Sequence, residues 1–214
     1  MTQEEQLMAY AEKVLGQDAS GHNMDHIRRV VATTKTLLAR TPVADATIAV
    51  AAATLHDTYD DKLVTDVAAA KAQTVAAMTH AGLTAAQQSA VIAIIDHMSF
   101  KASLAGKQPL SLEGQLVQDA DRLDAIGAIG IARAMMYGGA HGSRLYDPAL
   151  APRHQLDASS YRQGESTIIN HFHEKLLHLA AQMNTPAARK LAAHRQQVMQ
   201  DFLEEFAAEW RGEK

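Results

Sequence analysis

Apolar residues in this chain recur at spacings of three and four over long windows, and that period constrains its fold more than any other feature. Strands would need alternation at a period of two, and no run of alternating β-branched residues or glycine-rich hairpin is present. Alanine, leucine, glutamine and glutamate, all good helix formers, dominate the long windows. The pattern predicts helices over about 3–15, 22–40, 43–57, 65–82, 84–98, 111–137, 164–183 and 186–210. Thr41-Pro42 and Thr185-Pro186 each set a capping threonine before a proline suited to the first helical position. Gly82-Leu83-Thr84 reads as a helix stop followed by a new cap. Residues 137–161, YGGAHGSRLYDPALAPRHQLDASSY, break the pattern with glycine, proline and aspartate, and a loop of that length suits a lid over a site. The expected architecture is one all-α domain over 1–214, a helical bundle with one long loop excursion.

Composition narrows the function classes. With 47% apolar and 21% charged residues, the 214-residue chain can build a sizeable core. A net charge of −4 provides no general basic field for a nucleic-acid polymer or an anionic membrane. The absence of cysteine excludes disulfides, thiolate zinc sites and cysteine nucleophiles. The start, MTQEEQLMAY, lacks the basic-then-apolar order of a signal peptide, and no stretch reaches the roughly 18 apolar residues of a membrane span. A soluble, cytoplasmic protein is expected. Eleven histidines against four phenylalanines direct attention to metal sites built from nitrogen and oxygen.

Three segments hold candidate ligands. GHNMDHIRRV, 21–30, places His22 and His26 four apart on one helical face, a spacing shared by chelating pairs and by ordinary packed histidines. AVAAATLHD, 49–57, is an apolar helix that delivers His56 and Asp57 at its end. Burying that pair without a partner is costly, so it reads either as a polar helix end or as part of an ion site. LVQDADRLDAIGAIGIARA, 116–134, carries Asp119, Asp121 and Asp124 through an apolar run, with Asp121 and Asp124 on one side. Either salt bridges, from Arg122 for example, or a bound cation would neutralise them. Gly127 and Gly130 there permit close helix packing. HFHEKLLH, 171–178, resembles the zinc-protease HExxH, but its histidines His173 and His178 are five apart, which leaves them about 140° apart on an α-helix. It is rejected as a metal site. Lys62, Arg29, Lys101, Arg133 and Arg144 are ordinary surface charges unless a phosphate binds beside an ion, and His97 suits a helix C-terminus.

In order, His26, His56-Asp57 and Asp121 resemble the H…HD…D pattern of the HD superfamily of metal-dependent phosphohydrolases. GHNMDHIRRV, LHDTYDDK, QDADRLDAIGAIGIARA, the following YGG and TIINHFHEKLLHL together resemble stand-alone bacterial members, among them nucleoside triphosphate pyrophosphohydrolases. The resemblance spans Gly21 to Trp210. It implies an HD-domain bundle with a metal-site core over about 20–137 and C-terminal helices, about 164–210, packed on it. It implies His26, His56, Asp57 and Asp121 as ligands of Mn²⁺, Mg²⁺, Co²⁺ or Ni²⁺; Asp121 fits the Ala-Asp-x-Leu setting and Val30 the His-x-x-x-Val pattern. Asp60, three after the paired aspartate, would help activate water, and His22, Lys62, His97, Lys101, Asp124 and Arg144 are candidate substrate contacts. The implied partner is a small phosphate substrate, a nucleotide, hydrolysed to monophosphate and pyrophosphate. A 5′-nucleotidase and a non-catalytic metal- or nucleotide-binding module are the alternatives. An apolar helix face would support a homodimer, although no heptad marks one. Asn23 stands where the subgroup is expected to have aspartate.

Overall fold

Each early helix starts at a side chain able to take up its free N–H groups. In α1 (Gln3–Leu15) Thr2 accepts the Glu5 N–H while the Glu5 carboxylate accepts the Thr2 N–H, a reciprocal cap. Asn23 caps α2 (Met24–Leu38), Asp66 caps α4 (Val67–His80) and Thr84 caps α5 (Ala85–Met98), while Asp45 and not the expected Thr41 caps α3 (Ala46–Leu55), because the Thr41 hydroxyl donates back to the Leu37 carbonyl. Then come α6 (Leu112–Asp124), α7 (Gly127–Ala140), a composite α8 beginning at Ile168–His171, and α9 (Pro186–Trp210). The computed structural model describes residues 1–16, 23–61, 63–99, 109–153 and 166–214. Among them there is no strand, so the chain is all-α. No helix among them is long and apolar enough to cross a membrane.

The chain divides into two compact units, Met1–Asp121 and Arg122–Lys214. In the first, α3 is the central element, with α1, α2 and α5 packed on it. Its sequence, ATIAVAAATL, is apolar almost throughout, and from Ala51 to Leu55 every residue is buried. Ala49, Ala51, Ala52 and Ala53 are buried and small enough to let the neighbouring helices approach closely. The end of this helix therefore lies inside the protein, and the next residues are His56 and Asp57.

In the second unit α7 packs against α9 and against the start of α8. Two expectations need correction there. The helix expected over 111–137 is two helices, because Ile126 is extended (φ −126°, ψ 166°) and Gly127 has φ +75°. Only glycine enters that left-handed region without strain. A Cβ at Gly127 would also stand 2.9 Å from Cβ and Cγ of Arg195 on α9. The helix expected over 164–183 changes winding after Ile168–His171: a π turn at Phe172–Leu176, an α turn at Leu177–Leu179 and a 3₁₀ turn at Ala180–Gln182. The π turn directs Phe172, Glu174 and Leu176 inward. Glu174 is pinned by Arg153, whose Nε and backbone N–H donate to Oε1 at 3.0 Å and whose guanidinium donates to Oε2 at 2.6 Å; Ser166 donates to Oε2 at 3.0 Å. Burial alone would raise the Glu174 carboxyl, but these bonds outweigh it and hold the group below its ordinary value.

Candidate metal centre

His26 is the third residue of α2, one turn inside a cap formed by Asn23, whose side-chain oxygen accepts the His26 backbone N–H at 3.3 Å. Its ring is almost fully buried. His56 follows the last residue of α3 and keeps helical backbone angles (φ −60°, ψ −28°), so the buried helix aims its ring inward. His56 Nδ1 lies 2.9 Å from the carbonyl of Ala53. A carbonyl can only accept, so Nδ1 holds the proton and Nε2 presents its lone pair to the interior.

The four ligand candidates of the first unit meet there. His26 Nε2 and His56 Nε2 are 3.1 Å apart, their rings inclined at 67°. Asp57 Oδ2 is 3.6 Å from His26 Nε2 and 3.5 Å from His56 Nε2. Asp121 Oδ1 is 3.5 Å and 3.9 Å from the same two atoms. His26, His56 and Asp57 form a buried group whose ligand atoms all lie within 4.8 Å of one another, and Asp121, half-buried, borders the two histidines. Lone pairs and carboxylates converging at these distances repel one another unless a cation or proton lies among them. An ion bonded at about 2.1 Å to each ligand holds neighbouring ligand atoms about 3.0–3.4 Å apart. The histidine–histidine separation already falls in that range, and the carboxylates need to close by only a few tenths of an ångström. Two imidazoles and two carboxylates suit a divalent first-row ion or magnesium.

Asp57 and Asp60 share the turn that follows α3, where the Asp60 N–H donates to the Asp57 carbonyl at 3.2 Å. Asp60 is half-buried. Tyr59, between them, is buried, and that burial together with Asp96 raises its phenol well above the ordinary range, so it remains a donor. Asp119 is fully buried, two residues before Asp121 and outside the ligand group. His97 is exposed at the end of α5, with Nδ1 2.7 Å from the Ala93 carbonyl. Asp124 and Arg144 belong to the second unit. Asp124 is buried in an ion pair with Arg133 at 2.8 Å, and Arg144 pairs with Asp147 at the surface. His22, Lys62 and Lys101 lie outside the described residues. In HFHEKLLH, His173 and His178 are exposed and Glu174 is held by Arg153. Among the described residues the only group able to hold an ion is His26, His56 and Asp57. Sequence reasoning overlooked the side chains that brace the turn: Tyr59, Lys71 and Asp96, and the buried hydroxyls of Thr58 and Thr74. No local signal marks them, since Lys71 and Asp96 look like surface charges until tertiary structure pairs them.

The HD domain matches residues 23–126, which include all four ligand candidates. The Bacillus subtilis (strain 168) protein YpgQ is 37% identical over 207 residues, covering 96% of this chain and 93% of its own length. A crystal structure of a Lactobacillus plantarum protein superposes with a TM-score of 0.87 at 48% identity, covering 98% of this chain and 97% of that one. YpgQ in complex with ADP superposes with a TM-score of 0.77 at 32% identity, covering 96% of this chain and 97% of that one. An HD-superfamily hydrolase of Bacillus thuringiensis gives 0.76 at 36% identity, covering 97% and 96% of the two chains. With a full-length relative at this identity, a matching domain and a buried histidine–aspartate cluster at its centre, the chain belongs to the HD domain family.

Proposed function

We propose that this protein is a metal-dependent phosphohydrolase that converts nucleoside or deoxynucleoside triphosphates to the monophosphate and pyrophosphate. The observation that carries the reading is the convergence of His26 Nε2 and His56 Nε2 at 3.1 Å, flanked by the Asp57 and Asp121 carboxylates. The ADP found in the complex of its relative YpgQ supports a nucleotide as substrate. His26, His56, Asp57 and Asp121 would hold a divalent ion, which when bound would supply a Lewis acid for the phosphoryl oxygen and lower the pKa of water beside it. His56, through Nδ1–H to the Ala53 carbonyl, keeps the tautomer in which Nε2 is a ligand. Asp60 takes the proton from the attacking water at a carboxylate oxygen. Water oxygen bonds to the α-phosphorus, the bond from that phosphorus to the α–β bridging oxygen breaks, and pyrophosphate leaves with the electron pair.

The test strips the protein of metal, restores Mn²⁺, and quantifies phosphate and pyrophosphate separately over panels of nucleoside mono- and triphosphates. Pyrophosphate that requires both Mn²⁺ and an intact His56-Asp57 is the expected result. Phosphate released from monophosphates would replace the reading with a 5′-nucleotidase. Bound metal and nucleotide with neither product would replace it with a binding module.

A further inference from the structure

The turn that carries Asp57 and Asp60 lies beyond the end of α3, and its own backbone bonds are short-range: Thr58 N–H to Leu55 and Asp60 N–H to Asp57. Its direction is therefore set by side chains reaching other helices. Tyr59 donates its hydroxyl to Asp96 Oδ1 on α5 at 3.2 Å. The other Asp96 oxygen accepts from Lys71 Nζ on α4 at 2.6 Å, and that ammonium stands 5.7 Å from the centre of the Tyr59 ring. Phenol, carboxylate and ammonium thus close a three-membered set in which each member touches the other two. One residue earlier the buried Thr58 hydroxyl donates to the Leu55 carbonyl at 2.7 Å and lies 2.9 Å from the Thr74 hydroxyl. Lys71 and Thr74 are three apart, so one face of α4 grips both residues that follow Asp57. Neither α4 nor α5 supplies a member of the ligand group, yet both hold the turn that does.

We propose that Asp96 is a positioning residue for the metal centre: by holding Tyr59 it sets the direction in which Asp57 and Asp60 leave the end of α3. A half-exposed Lys–Asp pair adds little to stability, so what this one supplies is direction. The Asp60 part of the inference rests on the function proposed above, whereas the Asp57 part rests on the ligand geometry alone.

Asp96→Ala, Tyr59→Phe and the double variant, each in the full chain, test it through Mn²⁺ affinity measured by electron paramagnetic resonance, the Tm of the metal-free protein, and kcat and KM with a triphosphate. The expected result is Mn²⁺ binding weakened and kcat lowered by about tenfold, with KM changed by less than about twofold. The double variant should be no worse than Asp96→Ala, because Asp96→Ala and Tyr59→Phe each remove the same bond. Folded single variants with unchanged Mn²⁺ affinity and unchanged kcat would overturn the proposal. Should the buried Tyr59 variant fail to fold, Asp96→Ala, at an exposed carboxylate, stands alone; wild-type Mn²⁺ affinity in that variant would likewise overturn it. Wild-type protein that binds Mn²⁺ without hydrolysing any nucleotide would refute the proposed function and leave this inference to the affinity data. Wild-type protein that binds no Mn²⁺ would refute both.

Discussion

His56 serves two purposes with one ring, since its Nδ1–H holds the Ala53 carbonyl while Nε2 faces His26. Replacing it, or Asp57, removes a candidate ligand from a buried set. His56→Ala and Asp57→Ala are expected to lower Mn²⁺ affinity and pyrophosphate release by more than about 100-fold, read by metal titration and product assay. Asn23 explains the one departure from the expected motif. Its side-chain oxygen accepts the His26 N–H as an aspartate oxygen would, so the cap that orients the first ligand candidate survives without a negative charge. Asn23→Ala should cost about 1 kcal/mol in urea unfolding, while Asn23→Asp should cost far less. At this scale the ligand candidates were legible because few residue types bind a divalent ion, and burying them without one is costly. Asp96 was not legible: it becomes distinctive only when it meets Tyr59, 37 residues away.

Elements fail or hold at particular junctions. Gly127, at φ +75° and close to Arg195, is the joint that ends the helical run begun at Leu112. Gly127→Ala should destabilise by about 1–2 kcal/mol from the left-handed backbone alone. Gly139→Ala, on α7 with open space around it, should be neutral or stabilise by up to about 1 kcal/mol, and paired urea melts compare the two. A period-3.6 pattern runs across Ile126 without interruption, which is why the break escaped a sequence reading. The π turn escaped it too, because the Arg153–Glu174 pair spans 21 residues. Next to that turn, burial first and then the Lys175 charge depress the His171 imidazole from its usual 6.5 to about 4. The neutral ring is favoured in the folded state, so its contribution is complete above pH 6.5 and is lost as pH falls toward 4. Between pH 7.5 and 4.5 this group should remove about 2–3 kcal/mol of stability. Urea melts of wild type and His171→Gln at the two pH values check it, and the wild type should lose more.

At the scale of the whole molecule, a metal bound only by the folded protein stabilises it by mass action. Mn²⁺ at 100 times its Kd should add about 2.7 kcal/mol, a rise in Tm of roughly 5–10 °C, which a chelator reverses. His56→Ala protein should show no such rise. The helical class, most helix positions and the residue types of the candidate metal centre could be read from the chain alone, because periodicity, most caps and ligand chemistry are properties of neighbouring residues. The meeting of His26, His56, Asp57 and Asp121, the joint at Gly127, the π turn and the brace around Asp96 emerged only in three dimensions. Each depends on contacts between side chains far apart in sequence, or on a backbone angle that such contacts impose, and no local pattern encodes either.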